Sequence, residues 1–180
     1  MAFDSVNHRL LVQDLRTYGL NNDVVNWFQN FLSKRQQKVC INSCVSFSLE
    51  VYSAVPQGSV AGPPLFFLMF NFISEPAINS QSTSIRLFAD DAKVFGTDSQ
   101  ELQRVIDQMS TLLSTLQLLP APKKCAILKI GKQSVINDTS FSIDNHPVQE
   151  LPTFRDLGVI IANDLKWSNH IIIKVVSYNH

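Results

Sequence analysis

The segment from Ile85 to Phe95 most constrains the fold. Here apolar residues flank two adjacent carboxylates in Phe88-Ala89-Asp90-Asp91. Two strand-compatible stretches that meet at turn-favouring aspartates predict a hairpin with Asp90 and Asp91 at its tip. An isolated hairpin is marginal in water, so other elements must cover one of its faces. The clearest cover lies directly downstream. Residues 99–117 place Leu102, Val105, Met109, Leu112 and Leu116 on one helical face. Asp98 is placed to cap the first turn, Glu101 sits at the reciprocal capping position, and Pro120 and Pro122 stop the helix.

Upstream, Val6, Leu10, Leu11, Leu15 and Tyr18 recur at near-helical spacing over residues 5–18 and end at Gly19. A second short helix is predicted after Asn22, burying Val25, Phe28 and Leu32. From Gln37 to Val51 the period changes to two, with Val39 and Ile41, then Phe47, Leu49 and Val51, and Asn42-Ser43 as a turn. An apolar helix from about Gly58 to Ile73 follows, and residues 80–84 read as loop. Ala126–Ile130 and Phe154–Ile161 read as strands, and the chain closes in the start of a further helix or strand. This order predicts an α+β domain, an antiparallel sheet with helices packed on one face. At 180 residues with 45% apolar content, the chain is long enough for one domain with a real core.

Charge and cysteine usage narrow the functional classes. Fifteen basic residues balance fifteen acidic ones, so no overall field draws nucleic acid in. Positive charge for a phosphate track must come locally, from groups such as Lys123, Lys124, Lys129 and Lys132, or from missing parts. Cys40, Cys44 and Cys125 are odd in number and form no Cys-x-x-Cys pair, which argues against a zinc site or disulfide framework. A reducing intracellular compartment fits, with nucleus and cytoplasm both open. The apolar run from Leu65 to Ile73 is short of the ~20 residues needed to span a bilayer, and no signal-peptide pattern opens the chain. Asn137-Asp138-Thr139 matches a glycosylation sequon and is read as chance.

Three further motifs surround the aspartate pair. Pro56-Gln57-Gly58-Ser59 opens the apolar helix, Lys124-Cys125 follows the long amphipathic helix, and Phe154-Arg155-Asp156-Leu157-Gly158-Val159 comes last. Each alone has an ordinary reading: a turn, a solvated surface lysine, a strand ending in a glycine bulge. In this order they resemble the palm of a reverse transcriptase. Ala2-Phe3-Asp4-Ser5-Val6-Asn7-His8, Asp156-Leu157-Gly158-Val159, Leu165-Lys166-Trp167-Ser168 and His170 resemble the non-LTR, LINE-type branch, a group II intron-type enzyme being the alternative.

The resemblance implies an incomplete polymerase palm. Residues 1–161 would be a partial reverse transcriptase domain truncated at its N-terminus, and residues 162–180 the start of a thumb or connection segment. It further implies RNA-directed DNA polymerisation in retrotransposition, with Asp90 and Asp91 holding Mg²⁺ or Mn²⁺ as hard oxygen ligands. Gln57 and Gly58 would lie beside the nucleotide and templating base, and Phe3 would exclude a ribose 2′-hydroxyl. Lys124 would sit near the leaving pyrophosphate as general acid or charge stabiliser. RNA template, DNA primer and dNTP are the implied partners, with no membrane.

The chain also departs from that pattern. The first motif's catalytic aspartate would fall just before Met1, and Asp4 is expected to cap the following helix rather than bind metal. Pro63-Pro64 doubles the usual proline, Ala54 stands where glycine is usual, Asn71-Phe72-Ile73 replaces Asn-Asp-Leu, and Leu119-Pro120-Ala121-Pro122 lacks an asparagine. The expectation is little or no polymerase activity by this chain alone. The alternatives are a non-catalytic relic that binds nucleic acid or a partner, and a fragment not stably folded by itself.

Overall fold

The computed structural model describes residues 2–78, 80–131 and 140–171. Lys132, the sequon at Asn137–Thr139 and residues 172–180 of the expected thumb segment lie outside the described residues. The chain divides into two compact units, Met1–Leu119 and Pro120–His180.

The first unit opens with a 3-10 turn, Ala2–Ser5, followed by α1 (His8–Thr17) and α2 (Asn22–Leu32). Asn7 caps α1, its side-chain oxygen accepting from the Arg9 and Leu10 amides. Asp4 was the expected cap, but it lies inside the 3-10 turn, one turn too early. Gly19 then adopts φ +74, the left-handed conformation that ends a helix cleanly. Val25 and Leu32 of α2 are buried as expected, and Phe28 packs against them.

The alternating stretch after α2 becomes two short antiparallel ladders. β1 (Arg35–Gln37) pairs with a later strand, Leu49–Val51, and β2 (Cys40–Ile41) pairs with β3 (Cys44–Val45) across the Asn42-Ser43 turn. Leu49–Val51 is β4. The period-two pattern is real, yet neither of its faces is buried, and Phe47 is 94% exposed.

α3 (Gly62–Phe70) is shorter than the predicted helix, and Asn71–Ala77 continues it as 3-10 turns. Pro63 and Pro64 fall within the first helical turn. The amides there have no intrahelical acceptor, so neither proline removes a hydrogen bond. The hairpin forms as predicted from β5 (Thr83–Phe88) and β6 (Asp91–Gly96), although β5 starts within the stretch read as loop. α4 (Ser99–Thr115) follows, with Asp98 accepting from the Gln100 and Glu101 amides. Glu101 binds Arg104 through two hydrogen bonds of 2.6 and 2.7 Å, its carboxylate directed along the helix rather than to the cap.

One core joins these elements. Leu11 and Leu15 of α1, Phe66 and Met69 of α3, Ile73 and Val105 are all fully buried. The hairpin lies on the 3-10 segment and α4, while α1 packs on α2 and α3.

In the second unit a 3-10 turn, Pro122–Lys124, precedes β7 (Ala126–Ile127), β8 (Ser142–Ile143), β9 (His146–Pro147) and β10 (Gln149–Glu150). β11 (Thr153–Asp156) and β12 (Val159–Ala162) complete it. The expected strand Phe154–Ile161 is in fact the β11–β12 hairpin. Leu157 and Gly158 turn it with φ 45 and 85, the pair of positive values that matches strand twist in a two-residue turn.

The fold is α+β, but the single antiparallel sheet expected is not formed. Among the described residues the strands make six two-stranded ladders, and β7–β10 is parallel. The physical reason is length: most strands here are two to four residues, which leaves few ladder bonds to hold a third strand.

Two outcomes test this packing. Phe66→Ala should lower unfolding free energy by about 3–5 kcal/mol in urea titration, whereas Phe67→Ala, at a half-exposed position, should cost under ~1 kcal/mol. The Arg104 guanidinium and the Ser80 side chain hold the Glu101 carboxyl down to about 2. Its contribution to stability is therefore present above the usual glutamate range and lost as pH falls through about 2. A carboxyl titration by NMR should show that low midpoint, and Arg104→Ala should return it toward the ordinary value.

Candidate functional site

The aspartate pair is carried by the longest ladder among the described residues. β5 and β6 register continuously from Thr83 opposite Gly96 to Phe88 opposite Asp91. At the base, Thr83 is buried, and a Cβ on Gly96 would meet Leu102 and Thr83 side-chain atoms at 3.1 Å. Ile85 is buried, and Leu87 and Val94 pack on the core. Asp90 lies in the turn, Asp91 begins β6, and both are exposed. Ala89 supports the turn with φ 51, a conformation costing an L-residue about 1–2 kcal/mol. Such local strain persists only where surrounding structure imposes it.

The Pro56-Gln57-Gly58-Ser59 segment forms a turn that leads into α3. The Ser59 hydroxyl donates to the Pro56 carbonyl at 2.7 Å, and its oxygen accepts from the Gly62 amide at 2.9 Å. Gly58 has φ +78 with open space where a side chain would be. Its glycine answers a backbone requirement, and no protein atom crowds it. Close approach within the chain belongs instead to Gly62, whose added Cβ would sit 2.7 Å from the Pro56 carbonyl oxygen. A glycine directly before Pro63-Pro64 was the available signal for that role.

Phe3 and Gln57 are brought together across half the unit. The Phe3 carbonyl accepts from the Val55 amide at 3.1 Å, and the Val6 carbonyl from the Ala54 amide at 2.9 Å. Ser53 donates its hydroxyl to the Asp4 carbonyl at 3.1 Å, and the Gln57 side-chain amide donates to the Asp4 carboxylate at 3.0 Å. A ring nitrogen of His8 lies 2.7 Å from the Ala54 carbonyl oxygen. Phe3 itself stacks on Phe66, with centroids 4.1 Å apart and planes at 16°. The Asp4–Gln57 bond links two motifs that the sequence separates, and no local pattern announced it.

Lys124 is exposed at the end of the Pro122–Lys124 turn in the second unit, where its amide donates to the Ala121 carbonyl at 2.8 Å. Burial pushes the neighbouring Cys125 thiol up, making it a poor thiolate. Cys40, Cys44 and Cys125 are all free thiols.

Asp90 and Asp91 are the oxygen donors a divalent ion prefers. Among the described residues, however, no three His, Cys, Asp or Glu side chains gather in a group that could hold a metal ion. Asp4, engaged with Gln57, does not join the aspartate pair in one. Among the described residues, no helix is long and apolar enough to cross a membrane.

Ala54 has φ 82, so the backbone joining the Phe3–Val6 and Ser53–Gln57 segments holds a strained alanine at the place where the resemblance led to an expectation of glycine. Ala54→Gly should relieve about 1–2 kcal/mol of strain against about 0.5–1 kcal/mol of added chain entropy. A rise of about 0.5–1 kcal/mol in unfolding free energy is the expected result. An unchanged or lower urea midpoint would contradict the strained geometry.

The family model described as reverse transcriptase (RNA-dependent DNA polymerase) matches residues 1–161, spanning the first unit and most of the second. No curated protein matches the chain.

Proposed function

The chain belongs to the reverse transcriptase (RNA-dependent DNA polymerase) family, and we propose that it is a palm segment of the non-LTR, LINE-type branch that does not transfer nucleotides by itself. The wording of Ala2–His8 and of Asp156–Val159 supports that branch over a group II intron-type enzyme. Residues 1–161 form the polymerase part of the segment, and residues 162–180 lead toward a thumb. Its ligands are an RNA template, a DNA primer and a dNTP.

One observation carries the reading. A rigid hairpin presents two adjacent exposed carboxylates at its tip, and no third metal-ligating side chain stands with them among the described residues. Two carboxylates from one turn are part of the donor set of a two-ion nucleotidyl transferase, not the whole of it. The remaining assignments concern binding. The Gln57–Gly58 turn, open on its outer side and steadied by Asp4, is suited to lie against a nucleotide. Phe3, held flat on Phe66, is suited to exclude a sugar 2′-hydroxyl. Lys124, exposed, supplies positive charge for a leaving pyrophosphate.

The incomplete donor set favours a second reading, in which the palm survives as a nucleic-acid-binding module without chemistry. The two share one experiment. Purified chain is incubated with an RNA template, an annealed DNA primer, dNTPs and Mg²⁺ or Mn²⁺. No extended primer is expected, together with weak, salt-sensitive binding of the hybrid that Asp90→Ala leaves unchanged. Primer extension that disappears in Asp90→Ala would overturn the inactivity and show that the chain completes its own metal centre.

A further inference from the structure

α2 and the strand after it build a row of flat groups on the surface of the first unit. Trp27 and Phe31, one helical turn apart, stack with centroids 5.5 Å apart and planes at 6°. Phe28 braces Trp27 edge-on at 5.0 Å. Arg35, the first residue of β1, lays its guanidinium 5.2 Å from the centre of the Phe31 ring. Phe31 is partly buried in the middle of the row, while Trp27 remains 57% exposed. Core packing does not require that ring, because Val25, Phe28 and Leu32 already supply the inward contacts of α2.

Cations accompany the row. Lys34, Arg35 and Lys38 are all exposed, and among the described residues no ion pair engages them. The acids nearby in sequence or pairing are Asp23, one turn before Trp27, and Glu50, which lies opposite Gln36 and accepts from the Tyr52 hydroxyl. An exposed indole held rigid beside three uncompensated cations calls for a partner offering both flat π faces and regularly spaced negative charge. Single-stranded nucleic acid offers both, whereas a duplex hides its base faces. A second copy docking the same patch about a two-fold axis would set these cations against themselves.

We propose that Trp27, Phe31 and Arg35 form a platform for single-stranded nucleic acid. One base stacks on the open face of Trp27, and Lys34, Arg35 and Lys38 take the adjacent phosphates. Stacking of this kind tolerates any base, so the platform reads no sequence. The proposal rests on the polymerase reading only for the class of ligand. Its test uses oligonucleotides without a primer–template junction, so that either can fail alone.

The chain has two tryptophans, so Trp167→Phe leaves Trp27 as the sole indole reporter. Titration of that variant with oligouridylate or oligothymidylate should quench its fluorescence to saturation. Adding Trp27→Ala should weaken binding on the order of tenfold with an unchanged thermal midpoint, and Trp27→Phe should keep part of the affinity. Lys34→Gln and Lys38→Gln should each lower the log–log salt slope by about 0.7. An abasic oligonucleotide should bind wild type and Trp27→Ala alike. Absence of quenching at saturation, or equal oligonucleotide affinity in Trp27→Ala, would overturn the platform even if a primer–template hybrid binds. Self-association of the chain that Trp27→Ala abolishes, without an effect on oligonucleotide binding, would overturn it in favour of a contact between copies.

Discussion

Burial of α3 is the constraint on which the first unit depends. Leu65, Phe66, Met69 and Phe70 leave that helix with little polar surface, so it must be covered on several sides. α1 covers it from one direction, and the 3-10 segment that continues it carries the β5–β6 hairpin and α4. Phe3 closes it near its start by stacking on Phe66. The turn entering α3 and the hairpin resting beyond it are therefore both referred to one buried helix. One small core thus supports both separated pieces of the candidate site.

Those pieces are held by different physics. The hairpin is anchored at its base by apolar packing and by the tight fit of Gly96 against Leu102, and its tip carries two exposed aspartates. The Phe3–Val6 and Ser53–Gln57 segments are instead sewn together by hydrogen bonds, most of them to backbone carbonyls. Left-handed residues mark both places, Ala54 in the seam and Ala89 in the tip. A chain stores strain at such positions when the surrounding structure over-determines the backbone.

The part of the first unit that is not packed is as informative as the part that is. From Val39 to Tyr52 the ladders expose their apolar residues on both faces, and α2 leaves Trp27 outward. Period two therefore identified strands correctly in that stretch without identifying a buried face. Alternation records backbone geometry, while burial depends on what other element arrives to cover the strand.

Local rules sufficed for α1, α2, α4, the Asn42-Ser43 turn and the hairpin with Asp90 and Asp91 at its tip. Each is specified by caps, turn residues and periodicity within a few positions. The sequence alone also carried the family, because four motifs stood in one order along the chain. Tertiary structure decided the rest. It divided the expected sheet into separate ladders, whereas the cap at Asn7, the Glu101–Arg104 pair and the Leu157-Gly158 turn are local features that periodicity alone did not fix. It joined Asp4 to Gln57 and set no third carboxylate beside the aspartate pair among the described residues. The physical reason is range: capping and turn energies act over a few residues, whereas a site assembled from distant segments exists only once a common core has brought them together.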